Sequence, residues 1–146
     1  MATLTADVAV VFDPSRNVGL RQFPSDSADT FFRGGIAHHT ASTATLTPAA
    51  TEFFLGVIME HRVTAASGEM VWLATSGRFH FANSNFEVGD LDVLMQMPAA
   101  DLFDNPASLD DAAVGAAGGV GVLDQVTVTG TSGWLDISRR VGATNT

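Results

Sequence analysis

The sequence predicts an all-β fold: a small antiparallel β-barrel or sandwich with an irregular N-terminal arm and at most short helical turns. Three observations carry that prediction. Apolar and polar residues alternate with period two in several short runs, turns of small residues separate those runs, and the one stretch with helical features is broken by a proline.

The first alternating run is Asp7-Val8-Ala9-Val10-Val11-Phe12. The clearest is Arg78-Phe79-His80-Phe81-Ala82, where both Phe point to one face and Arg and His to the other. Leu91-Asp92-Val93-Leu94-Met95-Gln96-Met97 and Val126-Thr127-Val128-Thr129 repeat the pattern. Each reads as an antiparallel strand with one wet face. Asp13-Pro14-Ser15, Ala66-Ser67-Gly68, Ser76-Gly77, Val88-Gly89-Asp90 and Ser132-Gly133 are the expected turns, since Gly supplies the positive φ that tight reversals need.

Thr40 to Thr51 is dominated by Thr, Ala and Ser with Pro48, and reads as a loop or arm closing an irregular N-terminal third. Pro98 can open a helical turn and Ser108 with Asp111 resembles a capping box, but Pro106 forbids a continuous helix. A repeat is visible when Leu55-Gly56-Val57-Ile58 is laid over Val120-Gly121-Val122-Leu123. Ser67-Gly68 and Ser132-Gly133 follow at equal distance, and then Trp72-Leu73 and Trp134-Leu135. Two similar hairpins, each with a Trp on its return strand, are one account; chance similarity in a chain rich in Gly, Val and Ser is the other.

A chain of 146 residues fits one domain. It divides into a strand plus loop-rich arm over 1–50, a β-barrel core over 51–140 and a tail over 141–146. No cysteine is present, so disulfides, thiolate metal sites and cysteine nucleophiles are excluded. A net charge of −9 repels phosphate backbones and anionic lipid, which argues against nucleic acid as a partner. All seven basic residues are Arg, the cation favoured in protein interfaces, although a genome bias toward Arg, Ala and Gly codons gives the same count. The N-terminus has no basic region or long apolar stretch of a secretory signal. The run from Ala112 to Leu123 is too short for the ~20 apolar residues that span a bilayer, so no membrane partner is expected.

The motifs that carry chemistry fail one by one. His38, His39, His61 and His80 show no zinc-binding spacing, and His38 and His39 in a strand would point to opposite faces. Asp90 and Asp92 lack the remaining ligands of a calcium loop and read as a turn and a solvated strand face. The glycines from Gly115 to Gly121 lack the Lys-Ser/Thr ending of a phosphate loop and precede a strand rather than a helix, so they read as a loop leading into a strand. No nucleophile elbow or separable carboxylate pair occurs. The expectation is a non-enzyme with no catalytic residue, cofactor or metal.

What remains is surface for association. Phe23, Phe31 and Phe32, with Arg16, Arg21 and Arg33 nearby, have the composition of an interface anchor. The same Phe could equally close one end of the core. Trp72 and Trp134 could stack on sugar rings or pack inside.

The order of elements is informative as a whole: Phe54-Leu55-Gly56-Val57-Ile58, Gly68-Glu69-Met70-Val71-Trp72-Leu73, Ser76-Gly77-Arg78-Phe79-His80-Phe81, Val88-Gly89-Asp90, Val120-Gly121-Val122-Leu123 and Gly133-Trp134-Leu135-Asp136-Ile137. This series resembles the capsid decoration (head cement) proteins of tailed bacteriophages. The resemblance covers roughly Phe31 to Ser138 and departs between Met97 and Ala117, where the insert from Pro98 to Ala113 is longer and more acidic than the pattern. It implies a β-barrel subunit, a homo-oligomer with a trimer favoured, made in the host cytoplasm. Its partner would be the major capsid protein, bound on the outer surface of the virion so as to bridge neighbouring capsomers. The alternative is a tail or baseplate component, or a carbohydrate-binding β-module on the virion.

Overall fold

The strand that begins at Arg78 shows how the chain builds its sheets. Phe79 and Phe81 are almost fully buried and stack at 6.3 Å, while Arg78 and His80 lie on the wetter face. Burying one such ring is worth about 1.5–3 kcal/mol, which fixes the face this strand presents to the core. The structure, a computed structural model, describes residues 4–40, 43–45, 54–97, 104–111 and 119–140. Its strands in chain order are β1 (Val11–Phe12), β2 (Gly19–Pro24), β3 (Thr30–Phe31), β4 (Ile36–Thr40), β5 (Thr43–Thr45), β6 (Phe54–Ile58), β7 (Arg62–Val63), β8 (Met70–Ser76), β9 (Arg78–Ala82), β10 (Leu94–Gln96), β11 (Gly119–Val128) and β12 (Ser132–Asp136). Single 3-10 turns span Val88–Asp90, Pro106–Ser108 and Ile137–Arg140, and no described helix is long or apolar enough to cross a membrane.

All pairings are antiparallel. An N-terminal sheet has the order β2-β8-β6-β4-β5, a C-terminal sheet the order β1-β9-β12-β11-β10, and β3 and β7 form a separate ribbon. The fold is all-β, a sandwich rather than a closed barrel. The N-terminal sheet curls enough to bring β5 beside β2. The main core lies between the sheets, with Phe79, Phe81, Val120, Leu123 and Leu135 from one and Ile36, Phe54, Val57 and Ala74 from the other. A smaller cluster of Phe31, Ala37, Ile58, Val71 and Leu73 covers the opposite face of the N-terminal sheet. That sheet is therefore buried on both sides over part of its length, and its strands lose the clean alternation seen in β9.

The two sheets are one topology used twice. With the flanking strands β1 and β5 set aside, the orders are β2-β8-β6-β4 and β9-β12-β11-β10, in both cases first, fourth, third, second along the chain. Each is a Greek key, three successive antiparallel strands with the remaining one beside the last. The glycines of the sequence repeat hold equivalent positions. A Cβ on Gly56 would run into the Ala74 carbonyl oxygen, and one on Gly121 would lie 2.7 Å from that of Asp136. Pairs Val57↔Ala74 and Ile58↔Leu73 match Val122↔Asp136 and Leu123↔Leu135.

Several local expectations are corrected. Ser132-Gly133 is not a turn but the start of β12; the reversal falls at 129–131, where Gly130 takes φ +68°. Only Val11 and Phe12 of the 7–12 run enter a ladder, because the Val8 N–H bonds instead to the Arg33 carbonyl at 2.8 Å. Of 91–97 only Leu94–Gln96 is a strand; Asp90 ends a 3-10 turn and Asp92 sits at φ +65°, a conformation Asp tolerates. Part of the expected Thr40–Thr51 loop is strand, Thr40 closing β4 and 43–45 forming β5, while 41–42 and 46–51 lie outside the described residues. Likewise the N-terminal third supplies β2 and β4 to a five-stranded sheet. Ser108 opens no helix: it ends the 3-10 turn that Asn105 caps through the Ala107 N–H, whereas Pro98 and Gly115–Gly118 lie outside the described residues.

Candidate interaction site

The six arginines and phenylalanines singled out in the sequence separate into three neighbourhoods. Phe31, opposite Arg62 in the β3–β7 ribbon, is fully buried in the smaller core and serves packing. Phe23 packs half-buried on the same cluster, with the Arg21 guanidinium 5.9 Å from its ring centre and Arg21 itself exposed. Phe32 meets the His61 ring edge-on at 5.5 Å, and the adjacent Arg33 holds Asp7 through its backbone N–H at 3.0 Å and its guanidinium at 4.0 Å. His61 Nδ1 lies 2.8 Å from the same carboxylate, and this bond is the main reason the Asp7 carboxyl titrates below the usual range. Arg16 stands apart, 3.4 Å from Asp136 at the end of β12. Arg21, Phe23 and Phe31 are thus brought together, as are Phe32 and Arg33, but the two groups do not merge with Arg16.

A separate patch of exposed apolar surface lies on β8 and its neighbour β2. Val71 and Leu73 point into the smaller core and Ala74 into the main core. Trp72 shares the face of Ala74 but is 41% exposed, so the C-terminal sheet covers one residue and stops short of the other. Leu20, opposite Ala74 on β2, is 53% exposed, and Met70 is also open. Leu20, Met59, Glu60 and Trp72 line an open groove of about 350 Å³. Its geometry is set by the backbone: the Met59 N–H donates to the Trp72 carbonyl at 3.1 Å, and the Trp72 N–H donates to Glu60 Oε1 at 3.2 Å. The groove therefore combines an indole face, two aliphatic walls and one carboxylate. Trp72 is visible in the sequence as a candidate for stacking or packing, whereas Leu20, Met59 and Glu60 reach it only through strand pairing and the backbone bond of Met59 to Trp72.

Trp134 has the opposite environment. The Arg78 guanidinium lies over its ring at 4.5 Å, and His80 meets the ring edge at 5.1 Å. Arg78 Nε donates to both Asp124 oxygens at 2.9 Å, Nη1 to Asp13 Oδ2 at 3.2 Å and Nη2 to Gln125 Oε1 at 2.8 Å. Hydrogen bonding to Asp124 holds the Arg78 proton more tightly still, and Asp13 is kept ionised chiefly by the Ser15 hydroxyl and N–H. Its hydrogen-bonding groups are largely taken within the chain.

No group of three His, Asp or Glu side chains is arranged to hold a metal among the described residues. His38 is buried against Phe54, ring to ring at 6.4 Å, and Asp92 pairs with Arg139 at 3.3 Å in a turn rather than along a strand face. Comparison with known proteins finds no matching family model and no matching curated protein.

Proposed function

We propose that this chain is a structural virion protein that decorates the outside of an icosahedral phage capsid, binding the major capsid protein and bridging neighbouring capsomers as a homo-oligomer with a trimer favoured. The observation that carries the proposal is the Trp72 groove, an exposed tryptophan with aliphatic side chains beside it on β8 and its neighbours, the composition of an interface anchor. The motif series behind the resemblance also falls element by element on β6, β8, β9, the Val88–Asp90 turn, β11 and β12. A subunit that binds only the expanded shell stabilises it by mass action, and many copies spread the gain over the lattice. The test is to add purified protein to undecorated heads and measure occupancy together with heat-induced DNA release. Saturable binding that raises the release temperature is expected; unbound protein and unchanged release would sink the proposal.

One observation favours a second reading. An open tryptophan face beside a carboxylate also suits a sugar ring, as in a carbohydrate-binding β-module of a tail or baseplate. Binding on a glycan array, lost in a folded Trp72→Ala variant, would favour this over decoration.

A further inference from the structure

The two tryptophans hold the same place in the two halves of the duplicated fold, and their surroundings compare residue by residue. Gln22↔Trp72 and Leu20↔Ala74 in the N-terminal sheet correspond to His80↔Trp134 and Arg78↔Asp136 in the C-terminal sheet. Met59 and Glu60 follow Gly56 at the spacing by which Asp124 and Gln125 follow Gly121. By strand register Leu20 and Trp72 are therefore the counterparts of Arg78 and Trp134, and by chain spacing Met59 and Glu60 match Asp124 and Gln125, where β11 bulges between Leu123 and Gln125. In the C-terminal half these four close on one another, with the guanidinium on the indole and bonded to both Asp124 and Gln125. In the N-terminal half the arginine and aspartate are replaced by Leu20 and Met59, and a groove is open beside the indole.

The geometry points to an arginine of a different protein as the occupant of that groove, its guanidinium on the Trp72 ring and paired with Glu60, its stem against Leu20 and Met59. Glu60 lines the groove beside Trp72, whose backbone N–H its Oε1 accepts at 3.2 Å, and a carboxylate there accepts a guanidinium more strongly than the Gln125 amide does in the other half. Charge argues for a foreign donor rather than a second copy: the chain carries net −9, five of its seven arginines (Arg16, Arg33, Arg62, Arg78 and Arg139) are already ion-paired within it, and Arg21 lies over its own Phe23 ring. The inference rests on the decoration reading for the identity of the partner, since it names the side chain by which a shell protein would be held. The recognition chemistry itself stands on the comparison of the two halves.

The test titrates the full chain with a short blocked peptide carrying one arginine between leucines, and with lysine and citrulline versions of it. NMR follows the two indole N–H resonances, assigned with Trp72→Phe. The arginine peptide is expected to move the Trp72 resonance and leave Trp134 still, with lysine bound at least about threefold more weakly. Citrulline should have no effect. Glu60→Gln should weaken binding about fivefold, the size of one half-exposed charged contact. Leu20→Arg with Met59→Asp, which copies the closed half into the open one, should abolish it. An unmoved Trp72, an equal response to citrulline, or full binding by Glu60→Gln would overturn the inference. So would a Trp72 resonance that moves with protein concentration alone, which would assign the groove to a second copy, or one that answers to glycans and not to arginine. Because no heads are used, the two proposals fail separately. Head binding with a Trp72 blind to arginine sinks only this inference, and an arginine response without head binding sinks only the decoration role.

Discussion

Arg78 is the residue on which the C-terminal half is knotted, for its guanidinium joins three side-chain acceptors while lying on an indole. Its side chain is only 13% exposed, so removing it leaves Asp124 and Asp13 close together with their shared cation gone. Arg78→Ala should therefore cost about 2 kcal/mol in urea unfolding, and Arg78→Lys less, since lysine keeps the charge but not the planar fork. Asp104 behaves in the opposite sense. It is fully buried, Oδ1 accepts the Leu4 N–H at 2.8 Å, and Oδ2 has no hydrogen-bond partner among the described residues. Burial raises its pKa, so the ionised form is carried at a cost that is relieved as pH falls through the raised folded value. Asp104→Asn should raise the thermal midpoint at pH 7, and the advantage should shrink toward pH 4, which paired scans at the two pH values would show. Asp13, held ionised by Ser15, contributes with the reverse sign: its stabilisation is present above the ordinary carboxylate pKa and is lost as pH falls through its lowered folded value. Phe79 and Phe81 are legible from the sequence because β9 has one wet face. For Phe31 the sequence leaves packing and interface equally open, because it cannot say that the N-terminal sheet is buried on both faces.

At the scale of elements, the repeat of Gly-Val strands is legible and its turns are not. Gly56 and Gly121 are needed where a partner-strand carbonyl approaches too closely for a Cβ. Gly56→Ala and Gly121→Ala should each cost more than about 2 kcal/mol, whereas Gly89→Ala, in open space, should stay within about 0.5 kcal/mol. Chemical denaturation of the three variants distinguishes them. Ser132-Gly133 misleads because Gly serves close approach there and not reversal: a Cβ on Gly133 would lie 2.7 Å from the Gln125 carbonyl oxygen. The strand expected over 91–97 shortens for a related reason, since Asp92 supplies positive φ without being a glycine.

Across the whole molecule, the same Greek key has been put to two uses. One copy closes its outer face with an arginine, two carboxylates and an amide; the other leaves an apolar groove beside Trp72. The topological identity of the halves cannot be read from the sequence, because β2 and β4 carry no likeness to β9 and β10 and only the β6–β8 and β11–β12 hairpins do. The functional contrast is hidden for the same reason, since Leu20 and Arg78 become counterparts only through register. The decoration role is tested most directly by sedimenting undecorated phage heads with the wild-type chain and with Trp72→Ala over a range of concentrations. Wild-type protein should saturate at a fixed ratio to capsomers, and the variant, folded by its circular dichroism, should bind at least about tenfold more weakly, the loss expected of an interface anchor. A wild-type chain left in the supernatant at every concentration would contradict the account.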